Sequence, residues 1–214
     1  IYNVLRFNIM KLDIEQIYWK QNYPFVIGID EVGRGPLAGP VCSCAVLIRP
    51  NYPLPNKFVA LVKDSKKLSP QIRQKIYEQA INLPQIIFSI SMIDNQTIDT
   101  IGIQKSIFQC FDKCISQIIN KSKIIPNIIL IDGNQTIPHL PYNQKPIIKG
   151  DDKIFSIALA SVIAKHTRDT WMIQISTKYP KYNFDIHKGY GTEQHKKLIK
   201  KYGPCSLHRQ SFLH

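Results

Sequence analysis

The sequence predicts an α/β protein with a mixed central sheet flanked by helices, and three observations lead there. Apolar runs of strand length recur at residues 25–30, 41–48, 86–93, 128–131 and 146–149. Stretches with apolar residues at three- and four-residue spacing lie between the later runs. The first two runs are separated only by the turn Gly33-Arg34-Gly35-Pro36-Leu37-Ala38-Gly39-Pro40, which makes an antiparallel hairpin. Strands that alternate with helices after an initial hairpin give a sheet with both parallel and antiparallel neighbours.

Each element has a local reason. After a Pro- and Asn-bearing loop at residues 51–56, Ser69-Pro70 supplies an N-cap and a first-turn proline for a helix running to about Asn82. Asp94 or Thr97 opens a helical stretch to about Lys121, with Ile103, Ile107, Phe108, Phe111 and Ile115 on one face. Pro126 closes that region. Asp151 begins a long helical pattern through Ile175, with Ile154, Ala158, Ser161 and Lys165 at its turns. Residues 182–191 read as loop and residues 192–202 as a basic helix, which places the most plausible boundary near Pro180 to Gly191.

The 214 residues suit one domain, and 44% hydrophobic with 20% charged residues supply a core and exclude a disordered or low-complexity chain. No run approaches the length of a membrane helix. Residues 1–9 lack an apolar stretch followed by a small-residue cleavage site, so export is not expected, and Met10 is a candidate start. Cys42, Cys44, Cys110, Cys114 and Cys205 are odd in number and have no matching His pair, so reduced thiols are expected rather than a disulfide framework or a zinc site. The net charge of +13 favours a polyanionic partner, although the chain is rich in Ile, Asn and Lys together, so compositional bias also supplies lysine.

Asp30, Glu31, Asp132 and Asp151 each follow an apolar run, where an α/β sheet normally places its site. A single strand-end Asp is usually a turn cap, and that reading weakens for the set. Gathered carboxylates repel one another unless divalent cations neutralise them, and hard oxygen donors suit Mg2+ or Mn2+. Two such ions about 4 Å apart would activate a water and stabilise a leaving oxygen in phosphodiester cleavage. Asp30 and Glu31 are adjacent and would face opposite sides of a regular strand, so sharing a site is expected to require the strand to end there. Asp169 lies 18 residues after Asp151, about 27 Å along a continuous helix, and is expected to form a structural ion pair instead.

Seven segments in order carry a resemblance: residues 28–39, Asp64-Ser-Lys-Lys-Leu68, Leu130-Ile-Asp-Gly-Asn134, Lys149-Gly-Asp151, residues 156–169, His187-Lys-Gly-Tyr-Gly-Thr192 and His208-Arg-Gln-Ser-Phe212. Together they resemble the type 2 ribonuclease H family of bacteria, ribonuclease HII, over residues 28–212. The resemblance implies a ribonuclease H-like fold, with a catalytic domain at residues 10–185 and a small basic C-terminal helical element at residues 186–214 in the same structural unit. It implies an endoribonuclease that cleaves the RNA strand of RNA–DNA hybrids and nicks 5′ of single ribonucleotides in duplex DNA, leaving 5′-phosphate and 3′-hydroxyl ends. A cytoplasmic monomer with no membrane association is expected.

Asp30, Glu31, Asp132 and Asp151 match the family's metal-binding catalytic carboxylates, and the Lys-Gly-Asp pattern selects Asp151 over Asp152. Gly33, Arg34 and Gly35 match the loop whose backbone meets the ribonucleotide, while also serving as a turn. Tyr190 matches the tyrosine that packs on the deoxyribose at the RNA-to-DNA junction. Ser65 and Lys66 are candidates for backbone phosphate, with a solvated lysine run as the alternative. Lys196, Lys197, Lys200 and Lys201 share a helix face and either extend the duplex surface or are simply solvated. His208 and Arg209 match the closing motif, structural or phosphate-contacting. Leu159 departs from the small alanine common there, and no tail for partner motifs is expected beyond Phe212. A silent hybrid-binding protein and a different nuclease on the same fold are the competing readings; the intact carboxylate set and the glycine loop with Tyr190 speak against them.

Overall fold

The computed structural model describes residues 12–50 and 52–213; the expectations for residues 1–9 and Met10 lie outside the described residues. In chain order the elements are α1 (Asp13–Lys20), β1 (Val26–Val32), β2 (Val41–Ile48), α2 (Asn56–Leu61), α3 (Pro70–Asn82), β3 (Ile86–Ile93), α4 (Asn95–Ile101), α5 (Ile103–Ser122), β4 (Ile128–Asp132), β5 (Gln144–Ile147), α6 (Phe155–Ser176), α7 (Phe184–His187) and α8 (Glu193–Tyr202). Short 3-10 turns occur at Ser65–Lys67, Gly150–Asp152 and Gln210–Phe212.

The strands form one sheet in the order β3-β2-β1-β4-β5. β1 pairs antiparallel with β2, and β2 with β3, whereas β1–β4 and β4–β5 are parallel, giving the expected mixed sheet. All eight residues of β2 are buried because both of its faces are covered. Alternation sends Cys42, Cys44, Val46 and Ile48 into a core with Phe155, Leu159 and Ile163 of α6. It sends Val41, Ala45 and Leu47 into a second core with Ile107, Phe111 and Ile115 of α5. Helix α6 packs on β1, β2 and α3, which is why its sequence is apolar nearly all round. Among the described residues no helix is long and apolar enough to cross a membrane.

Gly28 sets how closely α6 meets the sheet. A Cβ there would lie 2.4 Å from Ser156 Oγ and 2.5 Å from the Ser156 carbonyl carbon, so only glycine admits the helix over β1. The N-cap position of α6 holds Ile154, which supplies no side-chain cap. The acceptor comes from α1: buried Glu15 takes the Ser156 amide on Oε1 at 2.7 Å.

Several expectations are corrected. The helical stretch opened by Asp94, which accepts the Thr97 amide at 2.7 Å, breaks at Gly102. At φ 82° that residue lies outside helical geometry, and it ends α4 and begins α5. β5 occupies Gln144–Ile147 rather than residues 146–149, because Lys149 adopts a left-handed φ of 55° and turns the chain. Pro146 is tolerated because β5 is an edge strand. The long helix begins at Phe155, with Asp151 in the preceding 3-10 turn. α1 and α2 were not anticipated, and α7 lies inside the segment read as loop. Tyr182 and Phe184 form a small core with Ala38 and Met172, against which Leu198 and Leu207 pack.

Candidate active site

Asp30 and Glu31 do not end their strand. β1 continues to Val32, in register with β2 through Asp30↔Cys44, Glu31↔Ser43 and Val32↔Cys42. What opens the site is the other neighbour: the parallel pairing with β4 stops at Ile29↔Ile131. Asp132 is the last residue of β4, and Gly133 at φ 106° turns the chain away. Asp30 and Glu31, though on opposite faces, therefore both reach the cleft beyond the end of β4. That cleft, about 580 Å3, is lined by all four predicted carboxylates together with Gly33, Arg34, Gly35, Ser65, Lys66 and Tyr190.

Asp132 and Asp151 are joined through a glycine. The Gly150 amide donates to Asp132 Oδ1 at 2.7 Å, and a Cβ at Gly150 would sit 2.7 Å from Ile157 Cδ1. This approach places Asp151 beside Asp132. Asp151 is buried, whereas its neighbour Asp152 is exposed and pairs with Lys67 Nζ at 2.8 Å. Asp169, as expected, makes ion pairs, to Lys165 at 2.8 Å and Arg73 at 3.3 Å.

The electrostatics are those of crowded acids. Burial, and then the charges of Glu31 and Asp132, push Asp30 well above the usual carboxylate range, with the Ser161 hydroxyl opposing. Burial raises Glu31, against the pull of Arg34, whose guanidinium lies 3.5 Å away. Burial and Asp132 raise Asp151, against Lys66 at 3.8 Å. A cation in the cleft would relieve such a set. The donors are all carboxylate oxygens and so fit a hard divalent ion. Among the described residues no three His, Cys, Asp or Glu side chains close on one point to hold a metal by themselves.

The glycine loop is held from behind by two fully buried arginines. Arg168 donates to the carbonyls of Pro40 at 2.8 Å, Lys188 at 3.0 Å and Ala38 at 3.2 Å. Arg209 donates to Gly33 at 2.7 Å, Gly39 at 3.0 Å and Arg34 at 3.1 Å. Arg209 is thus structural, its guanidinium taken up by loop carbonyls. Gly33 is required by the fold, since its φ is 94° and a Cβ would lie 2.4 Å from Arg168 Nε. Gly35 is not: a Cβ there meets nothing within 4 Å. The Tyr190 ring stands at the cleft edge with Lys165 Nζ 5.2 Å and the Arg168 guanidinium 5.5 Å from its centre.

Ser65 is buried and its hydroxyl pairs with that of Ser161 at 2.9 Å, while the Lys66 side chain is largely exposed at the rim. Lys196, Lys197, Lys200 and Lys201 are exposed on α8, and Lys196 pairs with Glu193 at 3.2 Å. Sequence reasoning missed Ser161, Lys165 and Arg73 as cleft-lining residues and Arg168 as the support of the loop. The signal for three of them was present, because Ser161, Lys165 and Arg168 recur at helical spacing on one face of α6.

A family model described as Ribonuclease HII matches residues 27–214. The ribonuclease HII of Caldicellulosiruptor bescii is 45% identical over 201 residues, spanning 94% of this chain and 92% of that protein. The crystal structure of ribonuclease H2 from Pyrococcus horikoshii superposes with a TM-score of 0.69 at 23% identity, covering 87% of this chain and 93% of that one. The structure of the PCNA:RNase HII complex from Archaeoglobus fulgidus superposes with a TM-score of 0.68 at 24% identity, covering 87% and 94%. Fold, sequence and the crowded acidic cleft agree: the chain belongs to the ribonuclease HII family and is a metal-dependent endoribonuclease of RNA–DNA hybrids.

Proposed function

We propose that the chain also nicks duplex DNA on the 5′ side of a single embedded ribonucleotide, with two Mg2+ or Mn2+ ions held by Asp30, Glu31, Asp132 and Asp151. The observation that carries this reading is the shared cleft: four acids, three of them (Asp30, Glu31 and Asp151) pushed up by burial and by neighbouring carboxylates, face a glycine whose side-chain space is unfilled and a tyrosine at the far edge. Asp30, Glu31, Asp132 and Asp151 would hold these ions, which would supply electrophilic stabilisation of the charge on the phosphodiester oxygens. Water adds to phosphorus as the bond to the 3′ oxygen breaks, which leaves 5′-phosphate and 3′-hydroxyl ends.

The chain's own residues supply selection and placement. The backbone of Gly33, Arg34 and Gly35 approaches the 2′-hydroxyl, and the bare Cα of Gly35 leaves the room for it. The Tyr190 ring packs on the following deoxyribose, where a second 2′-hydroxyl would crowd it. Lys66 at the rim contacts backbone phosphate, and Ser65 orients that segment through Ser161. Five free cysteines support a reducing compartment such as the cytoplasm. Tyr190→Ala is expected to lower cleavage at a single ribonucleotide several-fold more than cleavage of a long hybrid, compared by product yield on the two substrates. Equal losses on both would contradict the junction role.

A further inference from the structure

Three buried histidines lie behind Tyr190, outside the carboxylate cleft. His187 ends α7, His195 lies on α8 and His208 belongs to the C-terminal segment. The His187 and His195 rings stack with centres 4.1 Å apart, and His195 meets His208 Nε2 to Nε2 at 3.1 Å.

Backbone amides fix which nitrogens carry protons. The Cys205 amide donates to His208 Nδ1 at 2.8 Å, so that nitrogen is bare and Nε2 carries the hydrogen. His195 must then accept on Nε2 and donate from Nδ1, which lies 2.9 Å from the Tyr190 carbonyl oxygen. The Gly189 amide donates to His187 Nδ1 at 3.2 Å, which leaves Nε2–H for the Tyr182 carbonyl at 2.7 Å. All three rings are satisfied as neutral imidazoles, and burial favours that form in each.

The two ends of this chain of bonds meet the two substrate elements. His208 bridges to Ala38, the Gly39 amide donates to Leu207 and the Arg209 amide donates to Leu37, so the C-terminal segment is laced to the glycine loop. The other end holds the Tyr190 carbonyl.

We propose that the His208–His195 pair is a positioning device that fixes Tyr190 relative to the glycine loop and thereby sets preference for an RNA-to-DNA junction over continuous hybrid. This rests on the junction reading of Tyr190 and the loop. Neither histidine touches substrate; both act through backbone. One directed N–H···N bond between two residues 13 apart in sequence couples the loop that meets the ribose to the ring that meets the next sugar.

The test is the ratio of single-ribonucleotide to long-hybrid cleavage in the full-length chain. His195→Phe keeps a ring against His187 and Phe184 but removes both hydrogen bonds, and is expected to lower the ratio about tenfold, the scale of one buried hydrogen bond. His195→Asn, whose amide nitrogen can stand in for Nδ1, is expected to recover part of it. A folded His195→Phe whose two activities fall together, ratio unchanged, would overturn the proposal. Tyr190→Ala measured in parallel separates the cases: an unchanged ratio there refutes the junction reading, whereas a fall there without a fall in His195→Phe refutes this inference alone. Imidazole 15N NMR of the unaltered chain near neutral pH needs no variant. It is expected to show His208 protonated at Nε2 and His195 at Nδ1, and the reverse tautomers or a charged pair would refute the relay.

Discussion

Gly33 and Gly35 stand two residues apart and answer different demands. Gly33 combines a positive φ with Arg168 packed where a Cβ would go, whereas Gly35 has an ordinary φ and open space. Gly33→Ala is expected to cost roughly 1–3 kcal/mol of stability from backbone strain, read as a lowered denaturation midpoint. Gly35→Ala is expected to leave the midpoint unchanged and to reduce ribonucleotide cleavage; a stability loss at Gly35 would remove the reason for assigning that space to substrate. The four carboxylates were legible in the sequence because each follows an apolar run. Arg209 was not: its acceptors are carbonyls of Gly33, Arg34 and Gly39, brought together only by folding.

At the scale of elements, α6 organises the molecule. One face meets β1 at Gly28, and Ser161, Lys165 and Arg168 carry support to the cleft and the loop. Strands and most helices could be read from periodicity and caps. Their breaks were harder, since the φ of Gly102 and of Lys149 is a backbone choice that apolar spacing does not report. The opening of the cleft by the early end of the β1–β4 ladder is likewise a property of pairing rather than of either strand alone.

The packing of α8 makes stability depend on acid. Burial, opposed by the hydrogen bond to Tyr190, lowers the His195 pKa to about 4 from the usual 6.5. Between those values the unfolded chain binds more protons than the folded one, so stability is fully present above pH 6.5 and is lost as pH falls toward 4. Melting temperature is expected to drop across that window, and His195→Phe to flatten part of the drop. A profile as steep in the variant as in the parent would assign the acid sensitivity elsewhere.

For the whole molecule, the net charge is +13 while the cleft itself carries four carboxylates; on the proposed reading the basic excess holds a duplex and those carboxylates carry the chemistry. Hybrid affinity is expected to fall linearly with salt on logarithmic axes. If Lys197 and Lys200, exposed on α8, meet the duplex, replacing both by Gln lowers the slope by about 0.9 for each phosphate they had neutralised. An unchanged slope would make them solvated surface. Composition alone left that partner ambiguous; the family and the cleft define it.

The most direct measurement uses duplex DNA with one ribonucleotide, incubated with Mg2+ or Mn2+, with excess EDTA, and with Asp30→Asn in place of the parent chain. A single nick 5′ of the ribonucleotide, ending in 3′-hydroxyl and 5′-phosphate, is expected only in the parent with metal. Cleavage that persists in EDTA, or that Asp30→Asn leaves intact, would contradict a metal centre built on these carboxylates.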